Sequence, residues 1–471
     1  MSVRTPGGAL RGERVGGVER FLGIPYAAAP VGARRWAPAE PAEPWDGERD
    51  ATSPGPAPPQ PERPINEWFH GPLVATDEAT GLTLNVFAPV GEGEAIGEGS
   101  RPVLVWLHGG GWAVGWGSAP IFDATILAAA LDAVVVTVNY RLGSLGWLHH
   151  PELGAPHGDW GFLDQVEALR WVRRSIAAFG GDPERVTVSG QSAGAGSTLH
   201  LLVSGAGGLA GEALFARAIA LSPPLGEAVV PAMIGVEWAE ALGDHLVGGF
   251  DLEALRAVPA AEIVAAHEEL LTDPRFRGTR GGAMPIVLPG AIEHDPIEAP
   301  AVHPEIPLLI GNTVDEATFL FRAAGRRLDP DEKQLTAIVA HQRGVDDPAA
   351  VIAAYREANP GADNNELLCR IVTDKLFAGP VAEFASARAA AGAEVYRLRV
   401  EHTGPDERLA STHAIDVPLL FGTYATVENA RSVSGDTPSA HKASAALQSA
   451  VRTFIHGKPP FPAEELRVIG A

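Results

Sequence analysis

Short apolar, β-branched runs alternate along the chain with longer segments in which apolar residues recur at helical spacing. Six runs read as strands: Pro102–Leu107, Ala133–Val138, Arg185–Val188, Ala216–Leu221, Ile306–Ile310 and Ala393–Val400. The first, second, third and fifth lack polar alternation, as expected of strands covered on both faces of a parallel sheet. Between them Phe162, Val166, Leu169, Val172 and Ile176 form one apolar helical stripe, with Arg170, Arg173 and Arg174 off it. Such alternation predicts an α/β protein with a doubly wound, mostly parallel sheet. Residues 225–300 and 322–390 are rich in helix formers and break the strand series; they are expected to be helical regions inserted into one domain spanning 1–471. Prolines at 54, 56, 58, 59, 61 and 64 predict a stiff surface loop.

Composition narrows the class. Of 471 residues, 46% are hydrophobic and 20% charged, enough apolar side chain for a large core. Lys plus Arg number 36 against 58 Asp plus Glu, a net charge of −22 that repels nucleic acid and anionic membranes. The single cysteine, Cys369, excludes an internal disulfide. No apolar signal-like stretch follows Met1, and the longest apolar segment, Ala124 to Val138, is interrupted by Asp132. These features predict a cytoplasmic protein without membrane contact. The preference for Arg, with Lys only at 333, 375, 442 and 458, suggests a GC-rich bacterial source.

The candidate chemistry centres on one turn. The run Arg185–Val188 leads into Ser189-Gly190-Gln191-Ser192-Ala193-Gly194 and then a helix-like segment. Gly-x-Ser-x-Gly between strand and helix has the form of a nucleophile elbow, where a sharp turn exposes the serine oxygen and only small neighbours let strand and helix approach. The helix N-terminus also directs free N–H groups toward a developing oxyanion. Directly after Leu107 stands His108-Gly109-Gly110-Gly111-Trp112, whose glycines let backbone N–H groups reach a substrate oxygen unobstructed.

A serine nucleophile needs a base, and the base needs an acid to hold its tautomer. In the chain order serine, acid, histidine, the acid is Asp315 or Glu316, after Ile306–Ile310. The base is His402 or His413, after Ala393–Val400. The residues alone leave both pairs open.

Together these residues resemble the type-B carboxylesterases, the cholinesterase and carboxylesterase group, with bacterial para-nitrobenzyl esterase-like members the nearest type. The resemblance runs through Phe21 to Ala27, Leu82 to Pro89, His108 to Trp112, Asn139 to Gly143, Phe179 to Pro183, the serine turn, Asp315-Glu316 and His413 to Gly422. It implies the α/β-hydrolase fold, Ser192 as nucleophile, Glu316 as acid and His413 as base, with the Gly110, Gly111 and Ala193 N–H groups as oxyanion hole. No metal or cofactor is implied.

Two departures from the family pattern carry expectations. Pro58 and Gly81 stand where the family places its first disulfide, so the intervening loop 58–81, with Trp68 and Phe69, is expected to be a mobile lid. Gln191 stands where the family most often has Glu, which predicts a preference for neutral over cationic esters. Trp112, Trp116, Trp68, Phe319, Phe321 and Phe421 are candidates for an apolar substrate pocket, with a core role equally open for the three phenylalanines. Asp416 either holds the His413 loop or is a solvated surface charge. The expected activity is hydrolysis of neutral, apolar small-molecule esters through an acyl-enzyme, by a monomer or weak homo-oligomer. Amide or carbamate hydrolysis with the same triad, and a non-catalytic binding protein, are the alternatives.

Overall fold

The computed structural model describes residues 1–470, apart from 74, 92–95, 98, 205–212, 226–228, 277–285, 289–290, 293, 323–329 and 341–344. Its centre is a ten-stranded sheet. In chain order the strands are β1 (Glu13–Val15), β2 (Val18–Pro25), β3 (Thr83–Pro89), β4 (Arg101–Leu107), β5 (Val134–Val138), β6 (Gly181–Gln191), β7 (Arg217–Leu221), β8 (Leu308–Thr313), β9 (Val395–Val400) and β10 (Leu466–Ile469). Across the sheet they lie in the order β10-β9-β8-β7-β6-β4-β5-β3-β2-β1. From β10 to β5 every neighbouring pair is parallel, whereas β3, β2 and β1 extend the sheet antiparallel.

All six predicted strands lie in this sheet, and β6 runs beyond its predicted apolar stretch to include Asp182, Pro183 and Glu184. The strands β1, β2, β3 and β10 were not anticipated. The two edge strands are short and charged, and β2 carries Glu19, Arg20 and Gly23, so none of these three shows a continuous apolar run.

Alternate residues of the central strands enter separate cores on opposite faces. Val103, Val105, Val134, Val136, Val186 and Val188 join one cluster, with Phe162, Val166, Leu169 and Val172 of the helix Trp160–Ser175. Leu104, Trp106, Val135, Ile219 and Leu309 join the other, with residues of the helices Thr125–Leu131 and Pro438–Ile455. Burial on both faces is why these strands lack polar alternation.

The first helix-rich stretch contains Ala232–Val247, Leu252–Ala257 and Ala260–Leu270. The second contains Glu332–Ala340, Pro348–Ala358, Asn364–Thr373, a π-helical turn at Asp374–Ala378, and Gly379–Ala390. Part of that stretch builds a small core of its own around Leu335, Val339, Ile352, Leu368 and Ala317. Ala317 therefore ties it to the helix Glu316–Arg322, whose first residue is the candidate acid.

Strand register fixes where chemistry can occur. Leu107 of β4 pairs with Gly190 of β6, Gln191 with Leu221 of β7, and Leu221 with Gly311 of β8. The carboxyl ends of the central strands thus finish together, at the edge where open α/β sheets bind ligands. Among the described residues no helix is long and apolar enough to cross a membrane.

Candidate active site

Ser192 stands between β6 and the helix Ala193–Val203 with φ 55° and ψ −126°, a left-handed conformation that a serine adopts only under tight constraint. The neighbouring glycines make the turn possible. A Cβ on Gly190 would lie 2.4 Å from the Gly194 backbone, and one on Gly194 would lie 2.0 Å from the Leu107 carbonyl oxygen. The Ser192 N–H donates to Leu221 O at 2.9 Å, which locks the turn to β7.

The loop after β4 lies against this turn: a Cβ on Gly109 would be 3.1 Å from Ser192 Cβ. Gly110, at φ 121°, closes a tight turn in which Ala113 and Val114 donate their N–H groups to its carbonyl. The His108 ring stacks on Tyr140 at 4.3 Å, and the Tyr140 hydroxyl donates to His108 O at 2.6 Å. Burial pushes His108 down to about 4, so this ring stays neutral. Tyr140, directly after Asn139 at the end of β5, thus holds the glycine loop from behind.

Glu316 is fully buried. Its Oε1 accepts from Ser222 Oγ at 2.6 Å and from the Thr313 N–H at 2.6 Å, while Oε2 faces His413 Nδ1. Two fixed donors on one oxygen aim the other at the imidazole. The imidazole therefore carries its proton on Nδ1, donates it to Glu316, and presents a lone pair at Nε2. The neighbouring Asp315 does different work: its Oδ2 accepts from the Ser411 N–H at 3.2 Å, and its own N–H donates to Ser411 O at 3.1 Å. It clamps the loop that carries His413. His402 faces away, with Nε2 against Ser434 O at 2.7 Å.

Residues 1–465 match the model of the carboxylesterase family. The chain belongs to the carboxylesterase family. It is 33% identical to the para-nitrobenzyl esterase of Bacillus subtilis (strain 168) over 461 residues, 96% of this chain and 89% of that protein. It is 35% identical to the phenmedipham hydrolase of Pseudarthrobacter oxydans over 427 residues, 89% of this chain and 82% of that protein. Among solved structures it resembles a Geobacillus stearothermophilus carboxylesterase at pH 6.2, with a TM-score of 0.84 and 35% identity, covering 99% of this chain and 93% of that one. The fold is accordingly the α/β-hydrolase fold, and the chemistry is ester hydrolysis.

The candidate pocket aromatics of this carboxylesterase divide into two groups. Trp68, on the short helix Pro64–His70, lies 6.0 Å from the Phe319 ring, and Phe319 lies 5.6 Å from His413. Phe377 approaches His413 from another side at 5.1 Å. By contrast, Phe421 is fully buried against Trp106 and Phe122, so it is a core residue rather than a pocket one. Trp112 is also in the core instead of the expected pocket: it packs on Trp147 at 5.9 Å, and its indole N–H donates to Ser197 Oγ at 2.9 Å. It braces the glycine loop against the helix that follows Ser192. Trp116 is 5% exposed and packs on His70 at 5.6 Å. The Phe321 side chain lies outside the described residues.

The segment 58–81 is fastened at several points. Gln60 accepts from the Gly115 N–H at 2.8 Å and donates to Gly115 O at 3.0 Å; Arg63 pairs with Glu268, and Ala57 exchanges backbone hydrogen bonds with Ala75 and Asp77. Pro58 and Gly81 remain neighbours, since a Cβ on Gly81 would lie 3.2 Å from Pro58 Cα.

Asp416, three positions past His413, is fully buried, not a solvated surface charge. Burial first, and the Glu316 carboxylate second, push its carboxyl up to about 7; His413 and the Asp416 and Val417 N–H groups offset part of this.

Two residues escaped the sequence reading. Ser222 directly follows the Ala216–Leu221 run, and a position at the carboxyl end of a central strand was the signal available. Phe377 sits in the π-helical turn of the second helix-rich stretch, where local pattern gave no pointer.

Proposed function

We propose that this carboxylesterase hydrolyses neutral, apolar small-molecule esters through a covalent acyl-enzyme. Ser192 is the nucleophile, His413 the base, Glu316 its orienting acid, and the Gly110, Gly111 and Ala193 N–H groups stabilise the oxyanion. As Ser192 Oγ bonds to the ester carbonyl carbon, its proton passes to His413 Nε2 and the carbonyl π pair moves onto oxygen. The imidazolium then protonates the leaving alcohol as the C–O bond breaks. A water, deprotonated by the same nitrogen, releases the acid and restores Ser192.

The single observation that carries this reading is the Glu316 to His413 pair at the same strand edge as the strained Ser192 turn. An apolar substrate is favoured by the Phe319 and Phe377 rings beside His413, with Trp68 packed on Phe319. A neutral one is favoured by uncharged Gln191. Segment 58–81, fastened through Gln60 and Arg63, would serve as a cover bearing Trp68 and not as a freely moving lid. We read the chain as one catalytic domain, 1–471, with helical insertions at 225–300 and 322–390, acting in the cytoplasm as a monomer or weak homo-oligomer. The Pro58 and Gly81 contact, without a cross-link, supports a reducing compartment.

The test is a panel of p-nitrophenyl esters of varied acyl length, run beside Ser192→Ala with fluorophosphonate labelling. The substitution should lower kcat by roughly 10⁴- to 10⁶-fold and abolish labelling; activity at the wild-type level would reject the assignment. Gln191→Glu should raise turnover of choline-like esters relative to neutral ones, and an unchanged ratio would reject the neutral preference.

A further inference from the structure

The hydrogen bond to His413 Nε2 in this structure comes from the side-chain amide of Gln191, at 3.1 Å, and not from Ser192 Oγ. Gln191 is the last residue of β6 and is 2% exposed. Its side chain is held between His413 and the glycine loop, where a Cβ on Gly109 would lie 3.0 Å from Gln191 Oε1. A neutral imidazole nitrogen offers one in-plane lone pair. With Nδ1 donating to Glu316, that lone pair is the only place on the ring where the Ser192 proton can go, and the Gln191 amide fills it.

We propose that Gln191 is a positioning residue that latches the resting enzyme, holding His413 Nε2 so that acylation starts only once the amide has given way to the Ser192 hydroxyl. The inference rests on the serine-esterase reading above. It differs from the charge argument because it concerns the amide's N–H donor and not the missing carboxylate. When the latch opens, the Gln191 N–H to Nε2 bond is exchanged for the Ser192 O–H to Nε2 bond; the proton then moves to Nε2 as Oγ bonds to the carbonyl carbon.

The latch also has a pH signature. A donor on Nε2 favours the unprotonated ring, so it competes with the proton as well as with serine. The charged groups facing His413 are Glu316, from the helix Glu316–Arg322, and Asp416, from the helix that follows His413. The π-helical turn contributes the Phe377 ring, while its Asp374 accepts from the Tyr355 hydroxyl at 2.6 Å. The serine turn and the glycine loop bring no charge. Asp416, whose carboxyl is pushed up to about 7, ionises across the same pH range in wild type and Gln191 variants alike, so changes at Gln191 are read as displacements from the wild-type profile.

The experiment compares wild type, Gln191→Met and Gln191→Glu in full-length protein, by the rate of fluorophosphonate labelling and by the pH profile of kcat/KM for p-nitrophenyl acetate. Methionine matches the length of glutamine without a donor. A single neutral hydrogen bond removed from the resting state should speed labelling about three- to tenfold, with the acid limb of the profile moved to higher pH. Glutamate, which cannot donate to a neutral ring and attracts a charged one, should move that limb further in the same direction. Labelling of Gln191→Met at or below the wild-type rate, or an unmoved acid limb, in protein with a wild-type circular-dichroism spectrum, would overturn the latch. If wild-type Ser192 takes no label, the serine-esterase reading fails instead, so the two failures are distinct.

Discussion

Ser222 Oγ donates to Glu316 Oε1 at 2.6 Å, from a residue with φ 52° that is itself fully buried. The hydroxyl and the Thr313 N–H hold one carboxylate oxygen so that the other meets His413. Ser222→Ala removes a hydrogen bond to a buried charge, a contribution of about 1.5–3 kcal/mol. Turnover of p-nitrophenyl esters should fall about 10- to 100-fold with KM nearly unchanged, because the loss lies in orienting the base and not in binding. A rise in KM at constant kcat would contradict this account.

Gly194 has no room for a side chain. A Cβ there meets backbone on the neighbouring strand, 2.0 Å from Leu107 O and 2.7 Å from Leu107 C, and backbone cannot rotate away as a side chain can. Gly194→Ala should yield little folded protein, or destabilise it by more than about 3 kcal/mol. Gly97→Ala, where a Cβ would meet nothing within 4 Å among the described residues, is the matched control and should change stability by less than about 0.5 kcal/mol. Urea unfolding of the two variants beside wild type checks both statements.

Asp416 makes stability depend on pH in a defined direction. Its carboxyl is raised from 3.8 to about 7 in the folded protein, so between these values the native state keeps a proton that the unfolded chain has released. This residue's contribution to unfolding free energy therefore falls as pH rises through that window, by on the order of 4 kcal/mol when complete. Asp416→Asn cannot ionise. Its stability relative to wild type should rise between pH 5 and pH 8, as read by urea unfolding at both pH values; parallel pH dependence in the two proteins would refute the assignment.

Phe377 should report on the substrate's apolar body. Its ring centroid lies 5.1 Å from that of His413, so Phe377→Ala opens apolar space next to the base. For p-nitrophenyl esters with long or aromatic acyl groups, kcat/KM should drop about tenfold, while the acetate ester changes by about twofold or less. An equal loss across the series would make Phe377 a scaffold residue and not a pocket one.

Much of the sheet was legible because its central strands obey one local rule. A strand covered on both faces must be apolar at every position, and Val134–Val138 or Arg101–Leu107 satisfy that without reference to any distant residue. The antiparallel strands Val18–Pro25 and Thr83–Pro89 were missed because pairing, and not composition, makes them strands. The aromatics were the least legible. Phe319 and Phe421 are the same residue type and each follows a triad residue in the chain, yet one faces His413 and the other fills the core under Trp106.

What the sequence determined by itself was the local machinery: the buried strands, the turn in which Gly190 and Gly194 leave room around Ser192, and the glycine loop after Leu107. Each carries a local signature that residue type alone reveals: unbroken apolar runs in the strands, and glycines wherever backbone must come close. Tertiary structure decided which groups meet across long separations. The residues alone left Asp315 beside Glu316 and His402 beside His413, and the family resemblance alone favoured one of each. In the folded chain His413 faces Glu316 across 97 positions and Gln191 across 222, while Asp315 clamps the Ser411 loop and His402 turns to Ser434. Such contacts depend on strand order and register, which bring distant segments to one edge of the sheet, and no local pattern encodes that meeting.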